Sequence, residues 1–251
     1  MPDTQAPRNA PPLSILMYHQ IGRFDAAPRR HRAGYCRVER FRRQMRWLAA
    51  LGYRVISLDD ALRGLFGGQR IPPRSVVLTF DDGYRNFSEY AFPVLEHHGF
   101  PATVFLVADR IGQHADWLRD GQVQAPLMDA DTIRELHARG VTFGSHTLDH
   151  PRLTRLSPEA QWRELSESRE RLESLLQAPV RHFCYPYGDY DAATRDLARR
   201  AGYESALTCI RGAANHADNP WEIPRKAISW GDSLVGYAWK LHMKHRRKDR
   251  T

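Results

Sequence analysis

The side chains best suited to hydrolytic chemistry fall in two short motifs. The first places the carboxylates Asp81 and Asp82 side by side, and the second places His146 and His150 four residues apart. Adjacent carboxylates repel each other, so the pair is stable when one neutralises a cation and the other accepts a proton. Two imidazoles at this spacing lie on one face of a helical turn and can share one metal ion. The four residues therefore predict a metal site with a neighbouring general base.

A site with two histidines and one carboxylate leaves metal positions open for water and substrate, which is typical of catalytic rather than structural sites. Each motif also has a plainer interpretation. Asp-Asp-Gly is common in solvated turns, and a chain with 12 histidines produces the His-x-x-x-His spacing by chance. Because both motifs follow predicted strands directly, we favour the metal site.

Short apolar runs, several of them near-continuous, predict seven strands buried on both faces of a parallel sheet. Amphipathic helical stretches separate them, and some begin with a capping residue, such as Asp191 or Ser157. The alternation predicts an α/β fold, which we interpret as a single-domain distorted (β/α) barrel of roughly seven parallel strands. A doubly wound open sheet is the alternative. The predicted strands are 13–17, 54–57, 76–80, 103–107, 141–144, 182–185 and 205–209.

Both architectures collect functional side chains at the carboxyl ends of their strands. The predicted strands lead into Asp81-Asp82, Ser145-His146 and then His150, Pro186-Tyr187, and Tyr18-His19. We therefore expect two carboxylates, three histidines and a tyrosine to meet on one face of the sheet.

Composition excludes several classes of protein. The chain has 251 residues, of which 42% are hydrophobic and 26% charged, so it is neither disordered nor collagen-like. No apolar run approaches the roughly 18 residues that a bilayer requires. Residues 1–12 lack the features of a secretory signal, so the sequence predicts a cytoplasmic protein.

Positive charge is concentrated near the end of the sequence. The formal net charge is +8, of which residues 240–251 carry +5. We therefore predict a flexible segment over 1–12, a folded domain over 13–239 and a basic tail over 240–251. The tail is suited to peripheral contact with an anionic membrane, or it is a solvated terminus. The body has no basic stripe with interleaved aromatic residues, so we expect no nucleic-acid binding. The oligomeric state stays open.

Three motifs occur in an order that resembles a known family. Thr79–Gly83 reads T-F-D-D-G, Ser145–Pro151 reads S-H-T-L-D-H-P, and Tyr185–Gly188 reads Y-P-Y-G. Together they resemble the NodB-homology polysaccharide deacetylases, carbohydrate esterase family 4, over about residues 13–230. The opening M-Y-H-Q-I at 17–21 is similar to the branch that includes poly-N-acetylglucosamine deacetylases.

The resemblance implies a distorted (β/α) barrel and a divalent metal, usually Zn²⁺, used to hydrolyse the N-acetyl groups of a carbohydrate. It implies that Asp82, His146 and His150 are the metal ligands and that Asp81 is the general base. It further implies that the backbone N–H of Tyr187 stabilises the oxyanion.

Two positions depart from the family pattern. The family often has an arginine that orients the base where this chain has Cys184, and a thiol cannot form the forked, charged hydrogen bonds of a guanidinium. We predict that Arg225, on a later strand, supplies that charge. The family's late Leu-x-His histidine, which protonates the leaving amine, has no good match here. His19 is our candidate for that acid, because it ends the first strand on the same face.

Two other functions remain compatible with the sequence. A related amidohydrolase on the same fold would cleave a non-sugar C–N bond, and the metal site alone does not distinguish it from a deacetylase. A non-catalytic carbohydrate-binding module is the second, although the complete set of Asp81, Asp82, His146 and His150 argues against it.

Overall fold

The computed structural model describes residues 12–24, 34–117, 125–243 and 245–248. The strands are β1 (Ser14–Tyr18), β2 (Gln20–Gly22), β3 (Tyr35–Arg37), β4 (Arg54–Val55), β5 (Ser75–Phe80), β6 (Thr103–Leu106), β7 (Thr142–Ser145), β8 (His182–Cys184), β9 (Ser205–Arg211) and β10 (Ile223–Ala227). The helices are α1 (Val38–Ala50), α2 (Leu58–Phe66), α3 (Phe92–His98), α4 (Ala130–Ala138), α5 (Pro158–Leu176), α6 (Ala192–Arg200) and α7 (Leu234–His242). From β3 to β9, strands and α-helices alternate along the chain.

Seven parallel strands close into a barrel. They run in the order β1, β10, β9, β8, β7, β6 and β5, and β1 also pairs with β5, which completes the ring. That closing pair extends from Ser14 opposite Val76 to Tyr18 opposite Phe80. The predicted single-domain distorted (β/α) barrel is therefore confirmed, and the doubly wound open sheet is wrong.

One member of the ring differs from the sequence prediction. The predicted strand 54–57 shortens to Arg54–Val55, which pairs with the beginning of β5 and adds no member to the closed ring. Its place is taken by Ile223–Ala227, which pairs with both β9 and β1. This stretch resembles a loop in sequence because it contains proline and two cations. Arg225 and Lys226 are nevertheless buried, since each finds polar partners inside the fold.

The two faces of the strands belong to different cores. Ile15, Val77, Phe105 and Leu207 share a cluster with one face of α2, whereas neighbouring residues such as Leu16 pack with the outer helices. Because strand side chains alternate, the first cluster fills the inside of the barrel. We call the end of the barrel at which the carboxyl ends of the strands meet the barrel mouth. The apolar side chains of the inner cluster form the floor beneath it.

The later part of the chain packs on the barrel wherever it is described. The predicted boundary at residue 240 falls inside α7. Lys240 Nζ donates to the Ala227 carbonyl at 2.7 Å, and Lys248 N–H donates to the Arg211 carbonyl at 2.8 Å. Residues 1–11, 244 and 249–251 lie outside the described residues, so the division at 12 and 240 stays a prediction. None of the described helices is long and apolar enough to cross a bilayer.

Gly144 provides a test of the barrel's packing. A Cβ at this residue would lie 2.6 Å from Phe105 Cδ1 and 2.8 Å from the His182 carbonyl oxygen. Because that oxygen belongs to the neighbouring strand, Gly144→Ala should lower the free energy of unfolding by about 1–3 kcal/mol. Urea unfolding measures this change. The matched control is Gly231→Ala, where no atom lies within 4 Å of the added carbon. Equal midpoints for the two variants would contradict the packing.

Candidate active site

Asp81 and Asp82 enter the barrel mouth directly after β5. The Asp81 N–H donates to the Tyr18 carbonyl at 2.9 Å, which continues the closing pair beyond the last strand residue. Side chains of successive strand residues point to opposite faces, but Asp82 has a left-handed backbone, with φ of 74°. The turn allows both carboxylates to be buried together in the mouth, at 2% and 5% exposure.

Arg225 forms a buried, bidentate ion pair with Asp81. Its Nη1 donates to Oδ1 and its Nη2 donates to Oδ2, each at 2.7 Å. Its remaining donors bond the Thr208 carbonyl, Thr79 Oγ1 and Cys184 Sγ, so all five N–H groups have partners. Burial alone would raise the pKa of Asp81, but Arg225 outweighs it and holds that pKa below its usual value. Asp81 is therefore an oriented carboxylate.

Cys184 is the small residue that makes room for this pair. Its thiol accepts a hydrogen bond from Arg225 Nη2 at 3.0 Å and lies 3.7 Å from Asp81 Oδ2. Burial raises the pKa of the Cys184 thiol well above its usual value, so the group is neutral. Arg225 therefore contacts the base from β10, while Cys184 occupies the position where the family often has its arginine.

Asp82, His146 and His150 converge at the mouth. Each histidine Nε2 lies 3.3 Å from Asp82 Oδ1, and the candidate ligand atoms all lie within 4.8 Å of one another. Burial would raise the pKa of Asp82, but the two imidazoles hold it well below its usual value. Burial has the opposite effect on His150, because it disfavours the charged imidazolium. It lowers the pKa of His150 and outweighs the opposing effect of Asp82.

The predicted helical turn between the two histidines is wrong. Thr147 and His150 have left-handed backbones, with φ of 72° and 59°, inside a loop. Side-chain oxygens replace the hydrogen bonds of a helix there. Thr147 Oγ1 accepts the His150 N–H at 3.0 Å, and the Glu164 carboxylate accepts the N–H of Leu148 at 2.9 Å. This loop brings the two imidazoles together without a helix.

The three converging residues fit a divalent metal ion. His146 Nδ1 bonds the Cys184 carbonyl at 2.6 Å, which leaves the Nε2 lone pair directed at Asp82. Asp82 Oδ1 is buried and has no hydrogen-bond partner among the described residues. Two imidazole nitrogens and a carboxylate are a donor set suited to Zn²⁺, with further positions open.

His19 and Tyr187 complete the mouth. His19 Nε2 lies 4.0 Å from Asp81 Oδ2. Tyr187 follows β8 with a left-handed φ of 58°, and its ring meets His150 at a centroid distance of 4.5 Å. Together with the residues above they enclose a cavity of about 180 Å³, lined by His19, Gln20, Gly34, Tyr35, Asp81, Asp82, Tyr84, Trp117, His146, His150, Tyr185, Tyr187 and Cys209.

Two supporting residues were not predicted from the sequence. Trp117 stacks on His150, with ring centroids 4.5 Å apart and planes at 26°. Tyr84 bonds Asp82, and burial together with that carboxylate raises the pKa of Tyr84 well above its usual value, so it remains a donor. Trp117 lies in a loop without a motif. The position of Tyr84 directly after Asp-Asp-Gly was the available signal.

The ion pair predicts a double-mutant result. Arg225→Met would leave Asp81 charged and buried without its partner, which costs about 3–5 kcal/mol of stability. Adding Asp81→Leu should recover much of that loss, because an apolar pair is tolerated inside a barrel. Urea unfolding of the single and double variants measures both changes. A double variant no more stable than Arg225→Met would argue against coupling between the two side chains.

The converging residues predict a zinc-binding result. The protein should bind one equivalent of Zn²⁺, and His150→Gln should weaken that binding at least tenfold. The reason is that losing a direct metal ligand lowers the metal affinity more than losing a side chain that only supports a ligand. Competition with a chromogenic chelator measures the affinity. His97→Gln is the control, since His97 is exposed on α3 away from the mouth. Equal zinc affinities for the two variants would remove His150 from the ligand set.

A closed parallel barrel with polar residues at the carboxyl ends of its strands defines the class of (β/α)-barrel proteins. Solved structures share the fold. A Streptococcus pyogenes deacetylase, PplD, in complex with acetate has a TM-score of 0.79 at 24% identity, over 93% of this chain and 100% of that one. IcaB from Ammonifex degensii has a TM-score of 0.76 at 24% identity, over 92% and 97%.

Sequence comparison identifies the family. A family model for polysaccharide deacetylases matches residues 68–206. The putative polysaccharide deacetylase YxkH of Bacillus subtilis (strain 168) is 30% identical over 223 residues, 88% of this chain and 73% of that protein. The chain therefore belongs to the polysaccharide deacetylase family. It is also 27% identical over 241 residues to the poly-β-1,6-N-acetyl-D-glucosamine N-deacetylase of Escherichia coli (strain K12), covering 82% of this chain but only 35% of that protein.

Proposed function

We propose that the protein is a metal-dependent hydrolase that removes N-acetyl groups from a sugar of a polysaccharide or of its precursor. One observation carries the proposal: an oriented, buried Asp81 lies between His19 and the cluster of Asp82, His146 and His150. Family membership supports the deacetylase activity. The relatives named for poly-β-1,6-N-acetyl-D-glucosamine support an N-acetylated glycan as the substrate class.

Asp82, His146 and His150 would hold the metal ion, with Zn²⁺ as the expected species. The chemistry that such an ion supplies when bound is Lewis acidity toward the acetyl carbonyl and a lower pKa for water. Cys184 and Tyr84 keep the ligands in place, since each bonds one of them. Trp117 covers the outer face of His150 and limits its movement.

Asp81 acts as the general base. Its carboxylate accepts the proton of the attacking water, while Arg225 holds both of its oxygens in a fixed plane. His19 then donates a proton to the amine that leaves. Its Nε2 is 4.0 Å from Asp81, so base and acid can serve the same acetamide group. Acetate and a free amine are the products.

Tyr187 serves the oxyanion. It has a left-handed backbone and lines the cavity, and we assign its N–H the role of donor to the developing negative charge. Its half-exposed ring also offers a surface for stacking against a sugar. Contact of residues 240–251 with an anionic membrane remains a separate prediction.

The decisive experiment is acetate release from N-acetylglucosamine oligomers by the zinc-loaded protein. Asp81→Asn should lower kcat by about 10²–10⁴-fold, because the amide cannot accept the proton of water. Zinc binding should persist, since Asp82 and both histidines are unchanged. Asp131→Asn is the control. Asp131 is exposed on α4, so this variant should retain full activity.

The outcomes separate the alternatives. Release that requires both zinc and Asp81 would support the deacetylase. Absence of release from a protein holding one equivalent of zinc would favour a related amidohydrolase with another amide substrate. Failure to bind zinc at all would overturn the proposed metal-dependent mechanism.

A further inference from the structure

We infer that α7 is a membrane-docking element that inserts an apolar stripe into the surface of an anionic lipid bilayer. The inference does not depend on the proposed reaction. Its starting point is where large apolar side chains are exposed in the described part of the chain. Four of the seven belong to α7 and its flanking residue: Leu234, Val235, Trp239 and Met243, at 39%, 80%, 55% and 59% exposure.

These side chains form one surface. Val235, Trp239 and Met243 are spaced by four residues, so they lie along one side of the helix, which we call the apolar stripe. The opposite side is anchored, since Tyr237 and Leu241 are buried and Tyr237 packs edge-on against Trp47 of α1. The buried side of α7 therefore holds the helix on the barrel, and the apolar stripe is a separate, exposed side of the same helix.

The charge beside the stripe identifies its partner. Residues 240–251 carry a net charge of +5, and the described residues Arg246 and Lys248 are exposed. The nearby acid Asp232 is already paired with Lys240 at 2.5 Å. An apolar stripe with tryptophan beside basic side chains is the pattern of a helix that lies in the interface of an anionic bilayer.

A second copy of the chain fits this surface poorly. A two-fold contact through the stripe would bring the exposed Arg246 and Lys248 of the two copies toward each other, which like-charge repulsion opposes. Phosphatidylglycerol headgroups supply the opposite charge, at about 1 kcal/mol for each basic residue near the surface. The described residues after α7 are packed on the barrel, since the Lys248 N–H donates to the Arg211 carbonyl and His245 Nδ1 bonds Lys226 Nζ. The exposed Arg246 and Lys248 therefore stay within five residues of the end of the stripe at Met243.

Sedimentation with lipid vesicles tests the inference on the full chain. We expect binding to vesicles of phosphatidylcholine and phosphatidylglycerol in a 7:3 ratio, and at least tenfold weaker binding to phosphatidylcholine alone. The double variant Val235→Ser, Trp239→Ser should weaken binding to the mixed vesicles at least tenfold, because it removes the largest apolar area of the stripe. Trp162→Ser is the matched control, since Trp162 on α5 is 39% exposed but outside the stripe.

Two further arms keep the result interpretable. Arg246→Glu with Lys248→Glu should weaken binding to anionic vesicles and leave the weak binding to neutral vesicles unchanged. All variants should unfold at the same urea midpoint. The inference is overturned by equal vesicle binding of the stripe variant and the control, or by no binding to anionic vesicles. Sedimentation equilibrium showing a dimer that Trp239→Ser dissociates would assign the stripe to a second copy instead, and would also overturn it.

Discussion

The buried pair between Asp81 and Arg225 is the interaction on which the active-site geometry depends. A charge in a barrel interior is costly unless its partner is well placed, and here all five guanidinium donors are bonded. The pair fixes the plane of the base, and it also requires β5 and β10 to lie on either side of β1. The thiol of Cys184 is part of the same requirement, since a long side chain there would occupy the path of the arginine.

Backbone strain is concentrated around that pair. Among the described residues, six other than glycine have a positive φ, and four of them border the mouth: Asp82, Thr147, His150 and Tyr187. Left-handed backbone costs such residues about 1–3 kcal/mol each, and it persists where the surroundings determine it. Thr147 Oγ1 and the Glu164 carboxylate supply that constraint in the histidine loop. The apolar floor of the barrel supplies a rigid base for the strained residues.

The sequence predicted the barrel because its apolar runs alternate with amphipathic helical stretches, some of which begin with a typical capping residue. Ser157 and Asp191 each cap a helix as their residue types indicate. It placed Arg225 on a later strand but did not include that strand among the seven of the barrel, because the bounds of a strand containing Pro224, Arg225 and Lys226 are recognisable only once their buried partners are known. The helical turn proposed for His146 and His150 failed for a related reason, since residue type does not reveal left-handed backbone at threonine or histidine.

The closing position of β1 has a consequence for how the chain folds. Asp81 and Arg225 are separated by 144 residues, and His19 must join them from the first strand. Contacts between such distant residues form slowly, because a long loop must be ordered before they add stability. During synthesis, β1 and β9 would present open strand edges until β10 emerges to pair with both. The nascent chain is therefore most prone to misassembly just before its last strand is made.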